Sequence, residues 1–584
     1  MTHAKYRLKA AGAGWWRQNI NCLEACPVQT DVPAYIACIA EGKFGQAFDL
    51  NRKANVFPAI LGRICMHPCE KACRRRFLDE PVAIRALKRA CADHKPDGQC
   101  AGGLLFSEKA RRLAVVGAGP AGLTVADDLV RSGCRVTVFE ALPVVGGMLN
   151  VGIPPYRLAR GAVQTIVGEL ERMGVEIRLN APVGQAVTLE QLQADFDAVL
   201  IAAGAHAPIR LNIPGESLTG VLHGVTFMRK VNLNEAIPLG RRVAVIGGGN
   251  TAIDCARSAR YLGAEAVTVL YRRTRDEMPV SAEEVFEAEE EGVQFEFLVS
   301  PVRIIGDSDG RVTGLACIRN RLSSPDSGNR PRPVPIEGTE FLLPVDMVLP
   351  AVSQSPDTSF LPNVFSCSKG ERVEVDPTTF MTNVAGVFAV GDYITGPRDV
   401  ISVIADAHQV AASIRGYLEG PDESGEKSFA FKPAWPPHAP GSNYEVLPRQ
   451  KMPALAPTER QSLEEEVQLG FTSQTAMVEA RRCLRCDHNI LIDSTRCILC
   501  AGCLDVCPHG CIQMIPTDSI KMDDSVPYRT DVKPGTVLVL DEAYCIRCGL
   551  CIERCPTGAI RMERFDSTGQ TLEIGISRTG IGVR

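Results

Sequence analysis

The chain has 584 residues, of which 45% are hydrophobic and 22% are charged, so it is too long for a single core and should form roughly three to four domains. The formal net charge of -5 gives no reason to expect a nucleic-acid partner. The first residues lack the apolar core of a signal peptide, and no apolar run approaches the roughly 18 residues that span a membrane. We therefore expect a cytoplasmic protein with no membrane association.

The cysteine content is unusual, because the 23 cysteines fall into two dense groups, one near each end of the chain. A reducing cytosol disfavours a disulfide framework of this size, so clustered cysteines indicate metal ligands. The middle of the chain holds only four, which we expect to be core thiols: Cys134, Cys255, Cys317 and Cys367.

The first predicted domain covers residues 1–106 and combines helical patterning with the N-terminal cysteine group. Its cysteines occur in "NCLEACP" and "GRICMHPCEKACRR", which contain Cys22, Cys26, Cys65, Cys69 and Cys73. We expect Cys38 and Cys100 to be incidental. The helical pattern with these thiols predicts a small helical domain that binds a metal centre.

Residues 107–420 alternate apolar strands with helices, which is typical of an α/β fold. The strand Leu113–Val116 leads into "GAGPAG", with Gly117, Gly119, Pro120 and Gly122, then a helix and a second strand that ends at Glu140. This strand–turn–helix–strand context makes the glycine motif a strong indication of a dinucleotide site, with the glycines against a pyrophosphate and the acid on a ribose.

A second glycine loop, Gly247, Gly248 and Gly249 followed by Asn250 and Thr251, opens another helix. The strand after that helix ends not in an acid but in Arg272 and Arg273. An acid would repel a 2′-phosphate, whereas arginine binds it, so this end of the sheet predicts NADP(H) rather than NAD(H). The alternative is a solvated basic strand end.

Two dinucleotide sites in one chain normally pair a flavin with a nicotinamide. We therefore predict an α/β two-dinucleotide-binding-domain flavoprotein with Rossmann-like domains. The FAD domain would comprise residues 107–235 and 351–420, and the NADPH domain residues 236–350. A late strand before Gly391 and Asp392 fits the return of the FAD domain.

The remaining chain divides into a proline-rich segment and a second cysteine-rich domain. Residues 421–478 predict an extended linker. Residues 479–584 hold a C-x-x-C pair and then two runs that each end in Cys-Pro, the ligand pattern of bacterial ferredoxins, which have an α+β fold. In that pattern the fourth cysteine of each run ligates the other cluster, whereas zinc competes poorly with two such runs. One predicted [4Fe–4S] cluster uses Cys497, Cys500, Cys503 and Cys555, and the other uses Cys507, Cys545, Cys548 and Cys551, with Cys511 surplus.

From about residue 15 to 420 these motifs resemble the small-subunit family of glutamate synthase, which includes the NADPH-dependent ferredoxin oxidoreductase and the N-terminal part of dihydropyrimidine dehydrogenase. The resemblance implies that Asp392 meets the ribityl chain of FAD and that the helix from Val400 points its N-terminus at the flavin pyrimidine. Gly248, Gly249, Asn250, Thr251, Arg272 and Arg273 would hold NADPH. The residues implied around the rest of FAD are Gly117, Gly119, Gly122, Glu140, Gly147, Met148 and Arg157.

The same resemblance implies two [4Fe–4S] clusters in the N-terminal domain, whose ligands in the family open with a C-x-x-C pair just before the position of Cys22. That pair is missing here, and a matching pair stands at Cys483 and Cys486. We therefore expect the pair to have moved in sequence but not in space, and to share a cluster with Cys22 and Cys73. The alternative is an independent zinc site or a surface thiol pair.

The second N-terminal cluster would use Cys26, Cys65 and Cys69. Its fourth ligand in the family is a Glu or Gln, and that position holds Lys88. Because a lysine ammonium cannot ligate iron, either another group such as Cys91 supplies the bond or the cluster differs.

The hypothesis is an NADPH:acceptor oxidoreductase that uses FAD and about four [4Fe–4S] clusters. We predict no catalytic acid or base: the nine histidines form no constellation, and residues 283–291 should be a solvated helix face. The expected partner is a ferredoxin or a larger catalytic subunit, within a hetero-oligomer. Alternatives are the glutamate synthase small subunit, against which the C-terminal domain argues, a non-enzymatic relay subunit, and flavin-based bifurcation.

Overall fold

The computed structural model describes residues 6–9, 13–96, 106–107, 109–325, 330–368, 372–420, 430–433, 447–460, 462–522, 535–542, 544–566 and 582–583. Cys100 and the first half of the predicted linker, apart from 430–433, lie outside these residues. Within the described part, no helix is both long and apolar enough to cross a membrane.

The N-terminal domain is a packed set of short helices. The helix Val32–Ala40 shows why they form where they do, because the Asp31 side chain accepts a hydrogen bond from the Ala34 amide at 3.1 Å and a proline occupies the first turn. Its buried face, including Tyr35 and Ile39, joins one core with the next helices. The helices are Ala13–Gln18, Asn21–Glu24, Val32–Ala40, Phe44–Arg52, Pro58–Ile64, Pro68–Lys71, the 3-10 turn Arg74–Phe77, and Ile84–Asp93.

The first dinucleotide domain is built on a five-stranded parallel sheet. Its strand order is Val387–Ala389, Ala198–Ile201, Arg112–Val116, Arg135–Phe139 and Glu176–Arg178. The strand that returns from residue 387 lies at one edge, so the chain leaves this domain and comes back to it. Its helices are Pro120–Arg131, Met148–Val151, Arg160–Arg172, Leu189–Asp195, Asp392–Thr395 and Val400–Glu419.

The second dinucleotide domain repeats this plan with four parallel strands, in the order Met347–Pro350, Arg242–Ile246, Ala266–Tyr271 and Gln294–Phe297. An antiparallel sheet of Val299–Gly306, Val312–Pro325, Pro331–Pro335 and Phe341–Pro344 is added to it. The short pair Ala207–Pro208 and Gln354–Ser355 lies where the chain passes between the two domains. The helices of the second dinucleotide domain are Gly224–Asn232, Asn250–Tyr261, the 3-10 turn Arg275–Glu277, and Ala282–Glu290.

The C-terminal domain is an internal repeat of strand, short helix and strand. The outer strands His488–Ile492 and Ile560–Asp566 pair with each other, as do the inner strands Ile512–Pro516 and Thr536–Leu540. The two short helices, Gly502–Asp505 and Leu550–Arg554, pack together between them. The strand Tyr6–Lys9 pairs with Ile520–Met522 and with Gly582–Val583, so the N-terminal strand lies in one sheet with strands from the C-terminal part of the chain. The remaining elements of this domain are the strand Ala430–Pro433, which pairs with Ile560–Asp566, and the 3-10 turn Thr517–Ser519.

The described second half of the predicted linker is not an extended tether. Glu466 accepts hydrogen bonds from Arg63 and Arg89 of the N-terminal domain, and Phe471 is buried in the core of that domain. The helix Ser473–Ala480 then packs on Val32–Ala40. The prolines restrict the backbone of this segment but do not prevent it from packing. The apolar and charged side chains between them contact the N-terminal domain, which the proline pattern did not predict.

Candidate functional site

A cavity of about 410 Å³ opens at the carboxyl ends of the strands of the first dinucleotide domain. The glycine loop after Arg112–Val116 forms one wall, the segment around Met148 a second, and the start of the helix Val400–Glu419 a third. A cavity at this edge of an open parallel sheet is where such folds bind nucleotides. Of the residues predicted for FAD, those that line it are Gly117, Gly119, Pro120, Glu140, Gly147, Met148, Asp392 and Val400.

Two of the three acids that line the cavity, Glu140 and Asp392, were predicted to bind FAD, and both are held by backbone donors. Glu140 accepts hydrogen bonds from the amides of Ala118 at 2.7 Å and Leu142 at 2.9 Å, while burial raises the pKa of its carboxyl group. Asp392 accepts one from the Arg398 amide at 3.1 Å, and burial raises the pKa of Asp392 to about 6. Both acids are therefore fixed in position before any ligand enters.

The glycines of the first loop have different reasons to be glycine. A Cβ on Gly117, whose φ is +106°, would lie 2.5 Å from the Ala202 carbonyl oxygen. A Cβ on Gly122 would lie 2.1 Å from the Gly117 carbonyl oxygen, so Gly122 serves helix–strand packing and does not line the cavity. A Cβ on Gly119 would meet no protein atom within 4 Å. Gly119 thus leaves open space at the N-terminus of Pro120–Arg131, where a pyrophosphate fits.

Two predicted flavin residues have other positions. Gly391, with φ of +74°, stands just behind the wall, where its Cβ would approach Ala121 and Val403. Arg157 was expected beside the FAD, but it does not line the cavity. Its Nη1 binds both carboxylate oxygens of Asp254 at 2.7 and 2.8 Å, and Nη2 pairs with Glu284. The buried carboxylates of the second domain attract Arg157 away from the cavity, so it fixes the two domains together.

Three further side chains with ring or guanidinium nitrogens, which the sequence did not predict, lie in the cavity wall: His206, Arg229 and Arg398. Burial, and after it the charge of Arg229, lowers the pKa of His206 to about 4, so this histidine is neutral at pH 7. His206 follows the end of the strand Ala198–Ile201, which lies next to the central strand. Its position after a strand end is the signal that the sequence offers, since strand ends meet at the cavity. Arg229 comes from a helix of the other domain and carries no such signal.

The second glycine loop repeats the first at the edge of the four-stranded sheet. A Cβ on Gly247 would lie 2.4 Å from the Ala351 carbonyl oxygen, the counterpart of Gly117 against Ala202. Gly248 lies against the Tyr271 ring, and Gly249 has open space before the helix that starts with Asn250 and Thr251. The Oδ1 atom of Asn250 is buried without a hydrogen-bond donor among the described residues. The loop therefore has room for a pyrophosphate, and Asn250 has an acceptor atom to spare.

The two arginines predicted to select a 2′-phosphate do not lie side by side. Arg272 is exposed at the end of the strand Ala266–Tyr271, whereas Arg273 is 5% exposed and donates from Nε to the Pro331 carbonyl at 2.7 Å. Arg272 alone has the exposed position that a phosphate contact needs.

The acidic helix Ala282–Glu290 was expected to be solvated, and on one side it is not. Its carboxylates, with Glu291 after it, pair with buried arginines: Glu284 with Arg157, and Glu287 and Glu291 with Arg257, which is 1% exposed. Arg460, in the described second half of the predicted linker, also pairs with Glu291. The charges on this helix therefore join the second domain to its neighbours, and the expectation of no acid–base role stays a prediction.

The displaced pair lies beside the N-terminal cysteines. Cys22, Cys73, Cys483 and Cys486 line one small cavity with Val32 and Ile36 of the helix Val32–Ala40. Burial, and after it the nearby Cys486, Cys73 and Cys483 thiols, raises the pKa of Cys22 well above its ordinary value. Four cysteines from two segments that are more than 400 residues apart in the sequence therefore surround one cavity.

The loop that carries the pair has the backbone of a cluster-binding loop. Arg485, just before Cys486, has φ of 50°, which is uncommon for a residue other than glycine. Leu499 before Cys500 has φ of 53° and Arg547 before Cys548 has φ of 57°. The C-x-x-C pair and both ferredoxin runs therefore turn in the same way. Among the described residues, no group of three or more His, Cys, Asp or Glu side chains is placed to hold a single metal ion.

The C-terminal thiols assemble in the crossed pattern. Cys507, Cys545, Cys548 and Cys551 line one cavity with Cys511. In the other group, burial and the neighbouring Cys497, Cys500 and Cys555 thiols raise the pKa of Cys503. The two sites are related by the internal repeat: the Cys511 amide donates to Cys507 Sγ at 3.3 Å, and the Ala559 amide donates to Cys555 Sγ at 3.2 Å.

The second N-terminal group contains Cys26, Cys65 and Cys69 with the buried Lys88 beside them. Burial raises the pKa of Cys69, the Lys88 ammonium opposes that shift, and the Cys65 and Cys26 thiols add to it. The Cys91 thiol instead donates to the Lys88 carbonyl at 3.0 Å, so it bonds within its own helix. Cys38 is half-buried in the same core and lines none of the cysteine cavities described above.

Three regions of the chain, which contain the glycine loops and most of the grouped cysteines described above, match models of known protein families. Residues 111–411 match the family model described as pyridine nucleotide-disulphide oxidoreductase. The chain belongs to this family. Residues 17–99 match dihydropyrimidine dehydrogenase domain II, 4Fe-4S cluster, and residues 496–559 match a 4Fe-4S dicluster domain. This member of the pyridine nucleotide-disulphide oxidoreductase family is an FAD- and iron–sulfur-dependent NAD(P)H oxidoreductase, which confirms the predicted fold class and activity.

Three relatives of this oxidoreductase show how far the similarity extends. It is 42% identical to the NADP(+)-dependent formate dehydrogenase subunit beta of Moorella thermoacetica, over 80% of this chain and 70% of the relative. It is 38% identical to the NADPH-Fe(3+) oxidoreductase subunit beta of Geobacter sulfurreducens, over 80% of this chain and 75% of the relative. The glutamate synthase [NADPH] small chain of Escherichia coli is 32% identical over 69% of this chain and 89% of its own length. The predicted resemblance is thus confirmed, and part of this chain lies outside the small-chain alignment.

Proposed function

We propose that this oxidoreductase exchanges electrons between NADP(H) and a catalytic partner subunit through FAD and four iron–sulfur sites. FAD supplies the chemistry that links two-electron hydride transfer to one-electron carriers. The observation that carries the proposal is the order of the four thiol groups, which follow one another from the flavin cavity to the surface of the C-terminal domain. A redox relay needs such closely spaced centres, and isolated structural metal sites do not.

Each step of this order rests either on a shared hydrophobic core or on charge effects between side chains of neighbouring sites. Cys26 and Cys65 are buried in one hydrophobic core with residues of the flavin domain, including Leu149 and Val403, so their site lies next to the flavin cavity. Cys69 of that site is among the thiols that raise the pKa of Cys22. Counted outward from the flavin cavity, the second site contains Cys486 and the third contains Cys545. Arg547 lies near both, because both sulfurs raise the pKa of its guanidinium group. The third and fourth meet where Cys503 adds to the raised pKa of Cys551.

The outer end of this order supports a protein partner. Cys500 is exposed, and the neighbouring Ile498 is 65% exposed, an unusual position for a large apolar side chain. The relatives above are named as a subunit beta or a small chain, so the partner proposed here is a larger redox subunit, with a free ferredoxin as the second candidate. A catalytic subunit that co-purifies with the native chain supports the first, whereas a chain that purifies alone and reduces added ferredoxin supports the second.

The flavin cavity can be tested at Gly119, because a side chain there meets no protein atom. We expect Gly119→Ala to fold normally, since its φ of -80° and ψ of -178° suit alanine. It should nevertheless weaken FAD binding, because the methyl group enters the space kept for the pyrophosphate. Overpacking of this kind costs about 1–3 kcal/mol, or roughly five- to hundredfold in affinity.

The measurement is the FAD content after dialysis, together with the dissociation constant of FAD from reconstituted protein. Gly161→Ala is the matched control, because its Cβ also meets no atom within 4 Å but Gly161 lies outside the cavity. Full FAD retention by Gly119→Ala would show that the pyrophosphate lies elsewhere.

Nucleotide choice can be tested at Arg272. We expect Arg272→Ala to weaken NADPH binding far more than NADH binding, because a charge-assisted phosphate contact is lost. Such contacts contribute roughly 1.5–3 kcal/mol, or about ten- to hundredfold in affinity. Steady-state KM values for both nucleotides measure the effect. Arg241→Ala, which removes another exposed charge at the opposite end of the sheet, should change neither KM. Equal losses for NADPH and NADH would refute the 2′-phosphate assignment.

A further inference from the structure

Two buried arginines lie between the thiol group of Cys22, Cys73, Cys483 and Cys486 and the thiol group of Cys507, Cys545, Cys548 and Cys551. Arg74 is 6% exposed and Arg547 is 2% exposed. Arg74 directly follows Cys73 and lines the first cavity, and Arg547 lies between Cys545 and Cys548 and lines the second. Each cavity therefore has one of these arginines in its lining, and Glu542 Oε2 lies within 4.0 Å of both guanidinium groups.

The Arg74 guanidinium is poorly satisfied by the protein. Its Nη2 donates to Asn19 Oδ1 at 3.3 Å, but its buried Nε and Nη1 have no hydrogen-bond acceptor among the described residues. The nearest carboxylate oxygen recorded is Glu542 Oε2, 4.0 Å from Nη1. Buried donors without acceptors are costly, and a buried cation without a counter-charge is more so. Something negative must therefore compensate Arg74 in the assembled protein.

Arg547 makes that need greater. The same Glu542 Oε2 atom that lies 4.0 Å from Arg74 Nη1 lies only 2.6 Å from Arg547 Nη2, so this carboxylate binds Arg547 rather than Arg74. Arg547 itself is held by the His488 carbonyl at 3.1 Å, the Cys545 carbonyl, and Glu542 Oε2 at 2.6 Å. Glu542 thus supplies one negative charge for two cations.

We propose that Arg74 and Arg547 form a cationic junction that raises the reduction potentials of the iron–sulfur clusters held at these two cavities. The inference rests on the proposed function, because it needs a cluster at each site. Four thiolates make such a site net negative, and reduction adds a further negative charge. A permanent cation nearby in a buried setting stabilises the reduced state more than the oxidised state. The same negative charge supplies the partner that Arg74 lacks within the protein.

The test is an anaerobic redox titration of the full chain, followed by electron paramagnetic resonance and by iron analysis of each sample. In Arg74→Gln we expect the reduction equilibrium of the cluster at Cys22, Cys73, Cys483 and Cys486 to fall about tenfold, which is about 59 mV for a one-electron couple. The second cluster should shift the same way by less. Arg74→Lys keeps the charge and should stay near wild type. Arg76→Gln removes an exposed charge two residues away and should leave both potentials unchanged.

A second variant covers the case in which Arg74→Gln fails to assemble. Glu542→Gln removes the negative charge that the two arginines share, so it should raise both potentials, the opposite direction. Unchanged potentials in Glu542→Gln, or in Arg74→Gln with full iron, would overturn the junction, as would a shift in Arg74→Lys equal to that in Arg74→Gln. If the wild type itself lacks either cluster signal, the proposed function fails before the junction is tested.

Discussion

The double variant Cys483→Ser with Cys486→Ser is expected to lose about four irons, the content of one cluster, while both clusters of the C-terminal domain survive. The reason is that the two sulfurs line a cavity with Cys22 and Cys73 rather than with the neighbouring ferredoxin runs. Iron analysis and the spectra of the reduced clusters measure the loss. Cys22→Ser should damage the same spectroscopic centre, and adding it to the double variant should cost little more.

The matched control for this experiment is Cys38→Ser, which removes a half-buried thiol from the same domain but not from the cavity. It should keep its full iron content. A double variant that keeps full iron, or one that loses a ferredoxin-type signal instead, would show that the pair does not complete an N-terminal cluster.

Glu479→Ala is expected to destabilise the protein by about 3–5 kcal/mol, the usual cost of breaking a buried ion pair. Glu479 and Arg482 are both 0% exposed, and Glu479 also accepts hydrogen bonds from the Ala83 and Gln450 amides at 2.8 Å. Without Glu479, Arg482 keeps only Asp79 as a carboxylate partner among the described residues, and Arg75 shares it.

Because Cys483 follows this ion pair directly, Glu479→Ala should lower the thermal unfolding midpoint by several degrees and lose iron from the same cluster. Thermal denaturation with iron analysis measures both. Glu465→Ala, an exposed acid of the same segment, should change neither. An unaltered midpoint in Glu479→Ala would mean that other contacts hold the segment on the N-terminal domain.

The parts of the fold that the sequence predicts well are those encoded over short stretches. Each glycine loop stands between a strand and a helix of the same unit, and Gly117 and Gly247 meet equivalent carbonyl groups in the two domains. The ferredoxin runs repeat a local backbone turn, seen again at Arg485. The pairing of Cys483 with Cys22 needed more, because only the missing family motif indicated contact between distant segments.

What the sequence could not predict depends on which elements cover one another. Arg157 could be assigned to the flavin from its position in the chain, but its partner Asp254 belongs to another domain and becomes visible only in the folded protein. The acidic helix reads as solvated because its pattern does not reveal the arginines packed against it. The orphaned nitrogens of Arg74 are likewise a property of two domains in contact.

The most direct test of the central claim is an anaerobic titration with NADPH that counts the electrons each chain accepts. One FAD and four clusters hold about six electrons, so the account predicts consumption beyond one NADPH per chain, up to about three, with cluster signals appearing in electron paramagnetic resonance. Flavin bleaching that ends at one NADPH, with no cluster reduced, would contradict an electron path from nucleotide to iron–sulfur sites.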